Sequence, residues 1–305
     1  MSGVIVLGSS NTDLTVKVER LPQPQETVTN GELMVSFGGK GANQALAALY
    51  AQADVTFMSK IGLDNYGNDI YDNLTQKGLK PDGLIRDPER HSGMALITVD
   101  TQGNNQISVA PGSNKNFTVS DLNGLKGLIQ GGNVFLTQLE IPLSTAEHGL
   151  KLAKQAGLTT ILDPAPYQPL SSDIFANTDI ITPNEKEAAG LTGTGINNIR
   201  QARRAASEIM SHGCRKVIIT LGRDGAFIKT EQTDKHIPSP GVEAIDSVAA
   251  GDAFNGVLAA CLAEDVPLEE AVNFANAAGA LSATKRGAQE SLPKRKDIEY
   301  FLRNG

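Results

Sequence analysis

Apolar residues in this chain fall into two kinds of run. The first is short and dominated by consecutive apolar residues: residues 4–7, continuous and ending at Gly8, then 55–61, 134–139, 159–162, 180–182 and 217–221. Runs of that length match strands buried on both faces. Helical stretches alternate with them at 45–51, 64–77, 143–156, 197–212 and 268–285, with a last amphipathic one at 297–302. Repeated strand–helix units predict an α/β fold with a mostly parallel central sheet covered by helices on both faces. The second kind of run alternates, at 14–19, 27–35, 93–100 and 105–110. Alternation predicts half-exposed antiparallel strands, which do not belong inside a parallel sheet. These inserted segments, about 14–36 and 92–110, are expected to form a small antiparallel β lid beside the main body. If its apolar face lacks cover, it is also a dimer contact. No repeat or linker divides the chain, so residues 1–305 are expected to fold as one domain.

Polar residues recur where the predicted parallel strands end. Asn11 and Asp13 follow the first, and Glu140, Asp163, Asn184 with Glu187, and Thr220 follow later ones. Ligands of open α/β sheets collect at the carboxyl ends of the strands. Asn and Asp also favour turns for purely local reasons.

Two glycine-bearing stretches precede helical runs. Residues 37–44 read Phe-Gly-Gly-Lys-Gly-Ala-Asn-Gln, which fits neither a Walker A loop nor a dinucleotide fingerprint. Close packing explains its glycines as well as ligand approach does, while Lys40 and Asn43 point to a polar ligand. Residues 246–256 run Asp-Ser-Val-Ala-Ala-Gly-Asp-Ala-Phe-Asn-Gly into an apolar helix. Unpaired amides at a helix start attract anions, and the small residues Ala249, Ala250 and Gly251 leave them accessible. Asp252 is then either a capping acid or a base beside a phosphoryl acceptor.

Composition narrows the classes. The chain is 40% hydrophobic and 20% charged, with 27 Lys and Arg against 34 Asp and Glu, a net charge of −7. No basic stripe suits nucleic acid, and the longest apolar run, 257–263, is too short to cross a membrane. Cys214 and Cys261 lack metal-ligand spacing and are expected to be reduced core thiols of a cytoplasmic protein.

With these residues in place, the chain resembles the ribokinase family of PfkB-type carbohydrate kinases. The stretches 38–44 and 246–256 carry most of the likeness, matching the family's sugar-site glycine motif and its catalytic signature. Asn11-Thr12-Asp13, Gln138-Leu139-Glu140, the segments 163–166 and 182–187, and Arg286-Gly287-Ala288-Gln289 follow in family order. Ser247 stands where the family usually has threonine. The resemblance implies ATP-dependent phosphorylation of a sugar hydroxymethyl group, the 5-hydroxyl of D-ribose. It implies that Asn11, Asp13, Gly39, Lys40, Gly41, Asn43 and Glu140 hold the sugar and that Asp252 is the base. It also implies an anion hole at Ala249–Gly251 and a nucleotide site at Asn184, Thr220, Gly222, Gly225, Gly251 and Asn276. Magnesium near Glu187 and potassium near Asp246, Val248, Ser282, Lys285, Gly287 and Ser291 follow from the same likeness, as does a homodimer through the lid. The rival readings are a sister kinase acting on deoxyribose, fructose or adenosine, and a non-catalytic binding protein on the same fold.

Overall fold

The computed structural model describes residues 3–304. Among them the strands are β1 (Gly3–Leu7), β2 (Asn11–Lys17), β3 (Glu32–Gly38), β4 (Asp54–Gly62), β5 (Leu84–Asp87), β6 (Gly93–Val99), β7 (Asn105–Ala110), β8 (Val134–Thr137), β9 (Thr159–Leu162), β10 (Ile180–Ile181), β11 (Lys216–Thr220), β12 (Ala226–Lys229) and β13 (Asp234–Ile237). The α-helices are α1 (Lys40–Tyr50), α2 (Asn65–Gln76), α3 (Val119–Ile129), α4 (Leu143–Gln155), α5 (Ser172–Ala176), α6 (Glu185–Thr192), α7 (Ile199–Ser211), α8 (Ala250–Ala263), α9 (Leu268–Ala283) and α10 (Arg295–Asn304).

The main sheet has the order β13-β12-β11-β10-β9-β8-β1-β4-β5. From β11 to β5 all neighbours are parallel. Successive residues of a strand point to opposite faces, and both faces are covered. Val4 and Val6 join one apolar cluster with Leu46, Phe57 and Leu258, while Ile5 and Leu7 join another with Phe117, Phe135 and Leu150. β11 divides in the same way, Ile218 to the first side and Val217 and Ile219 to the second. This explains the unbroken apolar runs: each such strand feeds two cores, and a fully buried aliphatic contributes about 1.5–3 kcal/mol to either. The antiparallel pair β12 and β13 closes one edge; its four-residue strands were too short to stand out as a pattern.

The small sheet has the order β3-β2-β6-β7. β2–β3 and β6–β7 are antiparallel, and the two pairs join along a parallel seam between β2 and β6. The strand expected over 27–35 runs instead over Glu32–Gly38, because Asn30 takes a left-handed conformation (φ 66°) that interrupts an extended path. β2 begins at Asn11, so Asn11 and Asp13 belong to this sheet rather than to a turn. At its root Asn11 lies between two glycines, paired with Gly38 on one side and Gly93 on the other.

α8 is buried nearly all round, as a helix without a polar face must be. It packs closely on α1 because Gly256 has no side chain: a Cβ there would lie 2.5 Å from both the Ala47 Cβ and the Gln44 carbonyl oxygen. That approach brings the start of α1 to the start of α8.

Candidate active site

The start of α1 is seated on the three residues that follow β1. Gly39 has φ 89°, and a Cβ there would stand 2.7 Å from the Ser10 Cα. A Cβ on Gly41 would stand 2.6 Å from the Gly8 carbonyl carbon and the Ser9 nitrogen. The Ala42 N–H donates to the Ser9 carbonyl at 2.9 Å. Glu140, just past β8, accepts from the Ser9 hydroxyl and from the Lys40 N–H at 3.1 Å, placing an acid at the positive end of the helix. On β2, the Asp13 carboxylate lies over Gly38, where a Cβ would be 2.4 Å from its Oδ2. Packing therefore accounts for the glycines at 38, 39 and 41, with Gly41 seated directly on Gly8 and Ser9.

The Asp252 carboxylate, 4% exposed, faces α1 rather than its own helix. Its Oδ2 accepts from Asn43 Nδ2 at 2.8 Å and its Oδ1 from Gln44 Nε2 at 3.1 Å. No side chain caps α8, so the capping alternative does not describe Asp252. Gln44 Nε2 also donates to Asp163 Oδ2 at 2.7 Å, while its Oε1 accepts from Gln138. One amide thus joins two buried carboxylates. Burial raises the pKa of both, well above the usual range for Asp163, and the Lys40 charge opposes the shift. Burial also opposes the Lys40 charge, but Asp252, Asp163, Glu140 and Glu187 around it hold its pKa above the ordinary lysine value. Asp13 is pushed up to about 6 by burial and by the nearby Glu140 charge.

On the other side of α8 lies a cavity of about 620 Å³. Asn184, Thr220, Gly222, Gly225, Gly251 and Asn276 all line it. A Cβ on Gly251 would meet nothing within 4 Å, so a ligand can approach the backbone at the start of α8 closely there, while the Ala250 N–H donates to the Ser247 carbonyl at 3.2 Å. Apolar side chains of Val242, Phe254 and Ala280 complete the wall; Phe254 belongs to the 246–256 stretch, whereas Val242 and Ala280 gave no motif. The Asn276 amide is held in the wall by donating to the carbonyls of Ile237 and Pro238. Glu187 is the partner in the α6 capping box: its carboxylate oxygens accept from the Asn184 N–H and side-chain amide, both at 2.8 Å. Burial raises its pKa.

Residues 246–248 are tied to the turn after α9. Asp246 Oδ2 accepts from the Gly287 N–H and Oδ1 from the Val248 N–H, each at 3.1 Å. Ser282 and Ser291 are buried and share a hydrogen bond of 2.8 Å, and the Lys285 N–H donates to the Ser282 carbonyl. The six residues expected around a monovalent cation therefore belong to one neighbourhood, with Val248 and Lys285 at its exposed edge. Among the described residues no group of three or more His, Cys, Asp or Glu has metal-cage geometry. Cys214 and Cys261 are free and buried, and burial pushes both thiols up to about 12.

Three organising residues carried no role that the sequence revealed, Gln44 and Asn255 inside the two motifs and Asn114 outside them. Gln44 holds Asp252, Asn114 holds Asn11, and Asn255 links the α8 start to Thr182. Single amides at scattered positions say nothing until the fold brings them to a partner.

Comparison with known proteins supports the same frame. A model of the pfkB family carbohydrate kinases matches residues 1–295. A ribokinase of Haemophilus influenzae is 39% identical over 297 residues, 97% of each chain. A ribokinase from Thermotoga maritima superposes with a TM-score of 0.90 at 36% identity, covering 99% of each chain. The Arabidopsis thaliana ribokinase complexed with ribose and ATP gives a TM-score of 0.94 at 28% identity, again over 99% of each.

Proposed function

This chain belongs to the pfkB family of carbohydrate kinases, and within it we propose that the protein transfers the γ-phosphoryl group of ATP to the 5-hydroxyl of D-ribose, giving ribose 5-phosphate and ADP. One observation carries the reading. A buried carboxylate, Asp252, stands in the first turn of a helix whose start lines a nucleotide-sized cavity, and two side chains of the opposing helix hold it.

The residues divide the work. Asn11, Asp13, Lys40, Asn43 and Glu140 offer donors and acceptors to a polyol, and Gly39 and Gly41 seat the helix that carries two of them, Lys40 and Asn43. Asp252 takes the hydroxyl proton, and its raised pKa suits a base that accepts late in transfer. The amides of Ala249, Ala250 and Gly251 stabilise the charge on the moving phosphoryl group; such donors are worth roughly 10²–10³ in rate. Lys40 stays charged among Asp252, Asp163, Glu140 and Glu187.

A magnesium ion entering with ATP neutralises phosphate charge and keeps most of its water. The Glu187 and Asn184 pair fits that demand, an acid and an amide fixed at a helix start next to the cavity. Asp246 and Ser291, with the backbone at Val248, Ser282, Lys285 and Gly287, fit a potassium ion. Both faces of the small sheet bear apolar residues more than half exposed, Leu33, Val35 and Leu96 on one and Met34, Ile107 and Val109 on the other. A second copy covers them in a homodimer, and sedimentation as a monomer at micromolar concentration would reject this. No helix among the described residues is long and apolar enough to cross a membrane, and two inert buried thiols suit the cytoplasm.

The test is a coupled ADP-release assay across ribose, 2-deoxyribose, fructose and adenosine. Ribose is expected to give the highest kcat/KM, and any other substrate ranking first would overturn the assignment.

A further inference from the structure

Asn114 lies outside the strands and helices that build the site, in the short 3-10 turn Gly112–Asn116 after β7, and is 2% exposed. Its contacts fix which way round it sits. The Ser10 N–H can only donate, so the atom it meets at 3.0 Å is Asn114 Oδ1. The Ser10 carbonyl can only accept, so the atom facing it at 3.1 Å is Asn114 Nδ2. That nitrogen's second proton goes to Asn11 at 2.7 Å, and the receiving atom must be Asn11 Oδ1. Asn11 is left with its Nδ2 protons free.

We propose that Asn114 is a positioning residue for sugar recognition, locking the Asn11 amide so that it presents only a donor to the substrate. The proposal rests on the sugar-kinase reading above. Asp13 lies two residues along β2 and on the same face, and its ionised carboxylate only accepts. Locked, the pair offers one donor and one acceptor, the complement of a sugar hydroxyl that accepts from one side and donates to the other. With Asn11 free to flip, the pair becomes two acceptors, which a single hydroxyl proton cannot satisfy. Gly93 belongs to the device. It pairs with Asn11 across the seam, and a Cβ there would stand 2.2 Å from both Asn11 Oδ1 and Asn114 Nδ2.

The test is a double-mutant cycle in steady-state kinetics. Asn114→Ala is expected to raise the ribose KM roughly tenfold, the worth of one such hydrogen bond, with kcat changed less than about twofold. In an Asn11→Ala background the same substitution should leave KM unchanged. Across 2-deoxyribose and 3-deoxyribose the effect should vanish for the analogue lacking the hydroxyl that Asn11 meets. Gly93→Ala should reproduce the pattern. If Asn114→Ala does not fold by circular dichroism, Asn114→Asp replaces it, keeping the oxygen for Ser10 but having no proton for Asn11. An equal KM rise for all sugars, or one that persists without Asn11, makes Asn114 purely structural and overturns the proposal, as does no change. If wild type prefers another sugar, the functional reading fails separately and the cycle is run on that sugar.

Discussion

Two helix starts meet at the centre of this molecule, and they use glycine in opposite ways. At α1, Gly38, Gly39 and Gly41 are enclosed by protein, and a methyl group on any of them would strike atoms less than 3 Å away. At α8, Gly251 faces open space. The first start is built to be touched by its own chain, which fixes Lys40, Asn43 and Gln44 in place. The second is built to be approached by something else. Sequence alone shows the same missing side chain in both; only the neighbours tell a packing glycine from an approach glycine.

The sharpest way to break that division is at the carboxylate held between the two helices. Asp252→Asn keeps the shape and should retain ribose and ATP binding by calorimetry while kcat falls by roughly 10³ or more. Unchanged turnover would remove Asp252 from the chemistry. Next come the two glycines themselves. Gly251→Ala should leave the melting temperature where it is and lower kcat/KM by roughly 10–100-fold, because the methyl displaces the phosphoryl group by about its own size. Gly41→Ala should do the reverse, costing about 1–3 kcal/mol of stability in denaturant unfolding, with activity lost mainly through unfolding. Equal thermal shifts in the two variants would erase the distinction.

A smaller effect separates the sites by pH. Asp13, raised to about 6, must be ionised to accept from the sugar, so ribose KM should rise as pH falls through about 6. Stability runs the other way. The folded pKa exceeds the unfolded value of about 3.9, so this group's contribution is full below about 3.9 and is lost as pH rises through about 6. A ribose KM that is flat from pH 7.5 to 5 would place Asp13 outside sugar binding. The mildest expectation is stimulation by potassium over sodium, and equal rates in both salts would empty the neighbourhood of Asp246 of its assigned ion.

The main sheet was legible in the chain because burial on both faces leaves an unbroken apolar run, as at Val4–Leu7. The small sheet was legible in part: its alternation showed, but the left-handed Asn30 that sets where β3 begins did not. The edge strands β12 and β13 were missed, being too short for a period to register. At the site, the charged and glycine-bearing stretches stood out, whereas the amides that hold them did not. Gln44 was readable only as the end of a motif, and Asn114 as one more turn residue. Their importance depends on partners about a hundred residues distant or more, and single-chain patterns carry no such pairing.

Only Gly8, Ser9 and Ser10 separate the main sheet from the small one along this strand. They form a pivot with no slack, gripped from one side by Gly41 and tethered through Ser9 to Glu140. In a lever, points near the fulcrum barely travel while the far end sweeps. Asn11 and Asp13 stand next to this fulcrum, whereas Lys17, Glu32, Val99 and Asn105 form the distant row. On the proposed sugar-kinase reading, leverage would separate two duties within one sheet, the end with Asn11 and Asp13 staying still while the far row travels.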